Sequence, residues 1–293
     1  MKMQGCLALS RRKRVLATAI ALMGGASSLA QAAVIADFQA HDYATGATKW
    51  LDRVHGVQAT ASGSPVGNGG SVTTTNGSFT FNTADVPGFL GITSYTLAIG
   101  FNATSVSGGG ASFYQGTGVF GGDIPNSGQG DSGLALTTDG GNQIVFGAGV
   151  PGGDVANYDT VAPGGNFNTN TPMGAVLVVD GAAGSLTLYV NGVLTTQPGT
   201  TFRTILPVGK NFNDGGNIDN FLYGIGTVAG GGGPMPGTVT QAQIYNTALS
   251  AADAEALSLA VAQPSVAVTP EPASAALLGI AGFGLLSRRR RQA

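Results

Sequence analysis

The chain predicts an all-β domain, a sandwich or jelly roll of antiparallel sheets, on three observations. Glycine is abundant at 49 residues, Thr, Ser and Val are common, and the helix formers Glu and Lys are scarce. Alternation of apolar and polar residues with a period of two recurs through the middle of the chain, as strands with one buried face require. Clusters of Gly, Asn, Asp and Pro punctuate the alternating stretches. About 240 residues lie between two unusual termini, enough for one large domain of this class.

Taken in order, the strands are expected at Ser78–Phe81, Tyr95–Phe101, Gly133–Thr137, Gln143–Phe146, Ala175–Val179, Ser185–Val190, Phe221–Val228 and Thr238–Tyr245. The strongest local signal is Val176 to Asp180, a short loop Gly181-Ala182-Ala183-Gly184, then Ser185 to Val190 and Asn191-Gly192. It reads as a hairpin followed by a second, Asn-Gly turn. One helix is expected over Ala254–Ala260, with Ser250 as its cap and Asp253 near the positive end of its dipole. The glycine runs 108–110 and 230–233 read as loops. Val261 to Thr269, which contains Pro264, reads as a spacer. No fixed-period repeat is visible.

The N-terminus has the parts of a secretory signal: Arg11, Arg12, Lys13 and Arg14, an apolar stretch Val15–Met23, then Ala30-Gln31-Ala32. Residues 1–32 are therefore expected to be removed, with Ala30 and Ala32 forming the cleavage site. Arg14 stands where a twin-arginine motif wants an apolar residue, so the ordinary secretory route is expected. Cys6, the only cysteine, leaves with this segment, and the exported part has neither disulfide nor thiolate chemistry.

The C-terminus is more distinctive. Pro270-Glu271-Pro272 fixes an extended, accessible peptide, because proline locks φ and removes backbone donors. A 15-residue apolar run, Ala273–Ser287, follows, and then Arg288, Arg289, Arg290 and Arg291. As a helix the run would reach about 22 Å against roughly 30 Å of bilayer hydrocarbon, and snorkelling arginines can hold so short a helix in place. Leu277, Leu278, Ile280, Phe283, Leu285 and Leu286 leave it no polar face with which to pack as an amphipathic helix. Residues 270–293 resemble the PEP-CTERM sorting signal of Gram-negative bacteria. The resemblance implies recognition and processing by the membrane protease exosortase, after export by the secretion machinery across the inner membrane. The destination it implies is the cell surface or extracellular matrix. Membrane contact is then expected only through this C-terminal segment before processing.

Separating the termini exposes the charge of the body. Between the expected cut and the arginine tail only Lys49, Arg53, Arg203 and Lys210 are basic, against 15 acidic residues, a net charge of −11. A nucleic-acid partner needs a basic footprint that this body lacks. Plain charge attraction to an anionic polysaccharide is disfavoured as well, unless a cation bridges.

Three patches, with only a strand pattern to match over about 105–170, resemble laminin-G-like domains across residues 33–260. They are Leu177-Val178-Val179-Asp180 with Leu186 to Gly192, then Gly237-Thr238-Val239 with Ile244-Tyr245-Asn246 and Ala248-Leu249-Ser250, and the opening Trp50-Leu51-Asp52 with His55-Gly56. The resemblance implies the concanavalin A-like lectin/glucanase jelly roll of two packed antiparallel sheets, a fold that hosts lectins, glycan hydrolases and adhesion modules alike.

Glucanases of this fold carry their carboxyls on one strand as Glu-x-Asp-x-x-Glu, and a retaining mechanism needs two carboxyls about 5 Å apart. This chain has two glutamates, Glu255 on the expected helix and Glu271 in the sorting motif, so no such strand exists and no catalytic residue is assigned. His41 and His55 are the only histidines, and no G-x-S-x-G elbow accompanies them. Calcium is the candidate cofactor, since it takes oxygen ligands from Asp, Asn and carbonyls on a loop. Asn213, Asp214, Asn217 and Asp219 supply the densest such set, Asp154, Asn157 and Asp159 a sparser one, and Asp123 with Asp131 a third. The same residue types also build turns with no metal. Laminin-G-like relatives often bind calcium between loops. Trp50, beside Leu51, is expected to pack in the core or at an edge rather than stack on sugar.

The sequence thus leads to an exported, non-catalytic module that binds exopolysaccharide or another surface glycan, or acts structurally. An enzyme using paired aspartates on a glucanase-like fold is the alternative from another class, and a passive matrix component is the third.

Overall fold

Each alternating stretch has one apolar face to bury, and two sheets laid face to face bury them all. The computed structural model describes residues 32–89, 92, 94–106, 116–122, 132–138, 144–149, 159–161, 169–180, 182–183, 185–195, 222–229 and 233–265. The chain divides into two compact units, Met1–Ala32 and Ala33–Ala293, and the second carries the fold.

In chain order its strands are β1 (Val34–Gln39), β2 (Lys49–Leu51), β3 (Gln58–Gly63), β4 (Val66–Gly67), β5 (Val72–Thr73), β6 (Gly77–Asn82), β7 (Ser94–Ala103), β8 (Thr117–Gly122), β9 (Ser132–Thr138), β10 (Ile144–Gly149), β11 (Asp159–Val161), β12 (Met173–Asp180), β13 (Ser185–Val190), β14 (Val193–Thr195), β15 (Leu222–Ile225), β16 (Thr227–Ala229) and β17 (Gly237–Tyr245), followed by helix α1 (Ala251–Val261). One sheet runs β14-β13-β12-β7-β17-β5-β4, with β1 also paired to β17; the other runs β11-β10-β9-β8-β15-β6-β3-β2, with β16 attached to β8. Every pairing is antiparallel except that of β16 with β8. The all-β sandwich read from the sequence is the fold observed.

Between the sheets lies one apolar core. β7 and β12 contribute Tyr95, Leu97, Ile99, Phe101, Met173, Ala175, Leu177 and Val179 from one side; Phe79, Phe81, Phe120, Leu134, Leu136, Tyr223 and Ile225 meet them from the other. Trp50 is fully buried here, its ring centroid 5.0 Å from that of Phe79 in an edge-on contact. The core role expected for it is the one it has.

The expected hairpin forms with Asp180 opposite Ser185, and Asn191 (φ 49°) and Gly192 (φ 78°) make the second turn in the left-handed conformation that Asn and Gly tolerate best. The expected strand Phe221–Val228 is two strands instead. Gly226, at φ 71°, reverses the chain between β15 and β16, a bend the alternating pattern conceals.

α1 is capped as expected: Ser250 Oγ accepts from Asp253 N–H at 3.2 Å and donates to the Asp253 carboxylate at 2.6 Å. The helix covers the outer face of the first sheet, where Ala254 and Val261 pack on Ala98, Val176, Val178 and Tyr189. Its C-terminal turn lies directly on the paired glycines Gly100 and Gly174. A Cβ at Gly100 would overlap the carbonyl oxygen of Val261, and one at Gly174 that of Ser258. Gly100→Ala is therefore expected to lower stability by about 1–3 kcal/mol through overpacking. An unchanged denaturation midpoint would contradict this packing.

Val261 and Ser265 are buried, so the first residues of the stretch read as a spacer pack on the domain. Ser265 N–H donates to Gly70 O at 3.1 Å, and its hydroxyl meets Nδ1 of His41. Ala33 lies beside Asn246 at the other end of β1, so the body is entered at one end of that strand and left at the other.

Candidate functional site

Of the residues singled out from the sequence, Ala30, Asn213, Asp214, Asn217, Asp219, Pro270, Glu271, Pro272 and Arg288 to Arg291 lie outside the described residues. Asp123, Asp131, Asp154 and Asn157 do as well, while Ala32 is the first residue described. Among the described residues, no helix is long and apolar enough to cross a membrane, and no three of His, Cys, Asp and Glu group as metal ligands.

The carboxylates of β1, the β2–β3 loop, the hairpin and the α1 cap are tied to local structure. Asp52, only 3% exposed, accepts four backbone N–H bonds, from Asp37 and Val54 at 2.8 Å, His55 at 2.8 Å and Val57 at 3.1 Å. Arg53 N–H then donates to Asp37 O at 2.9 Å, and Trp50 Nε1–H to Gln39 O at 3.0 Å. These bonds occupy backbone groups on the outer edge of β1, so Trp50-Leu51-Asp52 stitches the edge of one sheet to the edge of the other. Asp42 takes the Arg53 guanidinium at 2.6 Å, and His41 sits against both with its side chain 9% exposed. Asp180 accepts from Ala182 and Ala183 N–H, both at 3.0 Å.

On the outer face of β1 and β17 a polar ladder runs beside α1. Tyr245 O–H donates to Gln243 Oε1 at 3.1 Å, and Gln243 Nε2 donates to Asp37 Oδ1 at 2.9 Å. Gln39 Nε2 donates to Asp37 at 2.6 Å and to Gln241 at 3.0 Å. Burial, and after it the Asp37 charge, pushes the Tyr245 hydroxyl up to about 12 from the usual 10.0. A folded value above the unfolded one means stability that is present below pH 10 and is lost as pH rises through 12. Tyr245→Phe is therefore expected to shed the part of the alkaline fall in Tm between pH 10 and 12 that this hydroxyl causes; a fall of unchanged size would refute the assignment.

The outer face of the second sheet divides in two. Over β8 and β9 it is covered by the chain itself: β16 lies on it, with Val228 packed on Ala135. Glycines make that approach possible, since a Cβ at Gly118 would overlap Val228 N and one at Gly224 would stand 2.5 Å from the Thr227 methyl. Across β2 and β3 the face is exposed; on β6 it is half-buried at Thr80 and Asn82, and on β15 Leu222 alone is exposed. Lys49 is opposite Thr60 and Thr60 opposite Thr80; Leu51 is opposite Gln58 and Asn82 opposite Leu222. Continuing the register from Thr60 and Thr80 sets Gln58 beside Asn82, which makes one row of Leu51, Gln58, Asn82 and Leu222. Lys49, Leu51, Gln58, Thr60, Ser62 and Leu222 are exposed, and none of these four strands bears a carboxylate. In a body of charge −11, this acid-free platform of amides and hydroxyls is the candidate ligand surface. The sequence reading did not single it out, because its residues come together only through strand pairing.

The family described as Concanavalin A-like lectin/glucanases superfamily (Laminin_G_3) matches residues 66–255. Among solved structures, the chain is similar to domain 4 of an extracellular GH43 arabinanase from Geobacillus stearothermophilus, in complex with arabinotriose. The TM-score is 0.51 at 15% identity, over 78% of this chain and 98% of that one. It is also similar to Trypanosoma rangeli sialidase in complex with sialic acid, with a TM-score of 0.53 at 18% identity, over 78% of this chain but only 33% of the sialidase. At these identities the likeness is one of fold. No curated protein matches the chain by sequence.

Proposed function

The chain belongs to the concanavalin A-like lectin/glucanases superfamily, and from that membership we propose that it is a non-catalytic glycan-binding module of the cell surface or extracellular matrix. The carrying observation is the contrast between its polar groups. Asp37, Asp42, Asp52, Asp180 and Asp253 serve backbone, cap or ion-pair roles, while Gln58, Thr60 and Ser62 of β3 stand exposed beside Lys49 on strands that carry no carboxylate. Hydroxyl-rich ligands are recognised by just such donors and acceptors, with few charges needed. Domain 4 of the arabinanase, which this chain matches over almost its whole length, holds an arabinotriose, and that supports the binding reading. The sialidase supports catalysis less, because this chain spans only a third of it.

Delivery follows the two terminal segments: residues 1–32 as a signal peptide and residues 270–293 as an exosortase-processed sorting signal. Calcium bound at Asn213, Asp214, Asn217 and Asp219 would add a cation to an acidic body and widen the choice of glycans to anionic ones. The test is a glycan array and a pull-down on the producing organism's exopolysaccharide, with and without calcium, combined with an assay for released reducing ends. Retention without cleavage is the expected result. No retention in either condition would remove the glycan reading, and release of sugar would replace it with the aspartate-based enzyme.

A further inference from the structure

Resting on the reading of residues 270–293 as a segment that enters the membrane before processing, we propose that the β2–β3 corner is the face this domain lays on the phospholipid surface. Leu51 and Val54 make the contact, a second one beside that of the C-terminal segment itself.

The argument begins where the chain leaves the body. Val261 O accepts from Thr240 Oγ1 at 3.0 Å, and Ser265, 6% exposed, is held by Gly70 O and by Nδ1 of His41. Seven residues, 266–272, then separate Ser265 from Ala273, where the apolar run begins. Fully extended, they reach at most about 25 Å. A domain of this length is roughly 45 Å across, so the leash is shorter than the body is wide. The surface around Ser265 is therefore the one that meets the membrane first.

Side-chain contacts lead from Ser265 to the β2–β3 loop. Nε2 of His41 meets the Arg53 guanidinium, which is also bonded to Asp42 at 2.6 Å. Beside Arg53, Val54 is 41% exposed and Leu51 is 51% exposed. The loop that carries Val54 is fixed from within, since the Asp52 carboxylate takes the N–H groups of Val54, His55 and Val57. Apolar side chains held out on a rigid loop enter a lipid interface with little ordering cost.

Charge favours the same corner. Lys49 and Arg53 are the only Lys or Arg among the described residues, and both lie here. They stand against Asp37, Asp42 and Asp52, of which Asp42 is paired and Asp52 is buried. Asp85, Asp180, Asp253 and Glu255 lie on other elements, with no Lys or Arg of their own among the described residues. An anionic lipid surface repels those elements and repels this corner least. The face is freed for a ligand once the segment is cut.

The test reconstitutes the full chain, carrying Cys6→Ser, in vesicles of phosphatidylcholine and phosphatidylglycerol with a headgroup-attached quencher. A fluorophore is placed on His55→Cys or, for comparison, on Ala182→Cys. Asp37 and Val176 lie in one row across β1, β17, β7 and β12, three strand spacings or roughly 14 Å apart, and Asp180 is four residues further along β12. Residue 182 is thus roughly 20 Å from the corner. Quenching is expected to be roughly threefold stronger at residue 55 than at residue 182, because the leash keeps only the first within reach of the headgroups. Val54→Asp, at an exposed position, should weaken quenching at residue 55 with Tm unchanged and the protein still on the vesicles. Equal or stronger quenching at residue 182, or no effect of Val54→Asp, overturns the proposal and leaves the membrane segment intact. Failure of the full chain to associate with vesicles removes both.

Discussion

Trp50→Ala is expected to lower the stability of the domain by about 3–5 kcal/mol, the range for removing a large buried aromatic side chain. For a domain of this size the Tm should fall by on the order of 10 °C. Trp50 is wholly buried, with Phe79, Phe38 and Tyr43 around it at centroid distances of 5.0, 5.8 and 6.1 Å. The substitution removes the ring from that cluster and also the N–H that satisfies Gln39 O. Trp50→Phe separates the two effects, since it keeps most of the apolar volume and loses only the donor, a loss of about 1–3 kcal/mol for a buried carbonyl left unpaired. Thermal and denaturant unfolding of the three proteins measures both. If Ala and Phe variants unfold alike, packing is not what Trp50 contributes.

Asp52→Ala should be nearly as damaging. Four amide donors, of Asp37, Val54, His55 and Val57, converge on one carboxylate, and alanine leaves all four to find water. Val54 and His55 are exposed and rehydrate readily, whereas the Asp37 and Val57 groups are more enclosed, so the loss is set at about 3–4 kcal/mol rather than at four full penalties. Asp52→Asn keeps the shape and one acceptor oxygen but points an NH2 at backbone N–H groups. It is expected to recover less than half of the loss. Stability of the alanine variant within 1 kcal/mol of the parent would refute the edge-stitching role. Because Trp50 and Asp52 serve the same seam, the double variant should be less destabilised than the two losses added.

These two residues also illustrate how far the chain can be read before it is folded. The alternating runs at Tyr95–Phe101 and Ala175–Val179 were legible, since a buried face imprints a period of two on any strand. So were the Asn191-Gly192 turn and the Ser250 cap, which depend on chemistry within a few residues. Trp50-Leu51-Asp52 could be noticed as a pattern, but its work is done on Asp37 and Gln39, in a strand of the other sheet. The break at Gly226 was hidden because glycine is compatible with a strand as well as with a reversal. The exposed face of β2 and β3 was invisible for a similar reason. Lys49 and Gln58 are nine residues apart, and only the β2–β3 pairing brings them side by side. The calcium set at Asn213, Asp214, Asn217 and Asp219 remains an expectation of composition, outside the described residues.

The placement of the chain ends along β1 has a mechanical consequence. The body begins at Ala33, beside Asn246, and its C-terminal stretch is pinned at Ser265 near His41, at the far end of the same strand. A pull applied between a surface anchor at one end and a load at the other would drag β1 lengthwise along β17. The five paired positions from Val34–Tyr245 to Gln39–Gln241 would then resist together in shear, not open one at a time like a zip. A module built this way can carry tension from one end of the chain to the other.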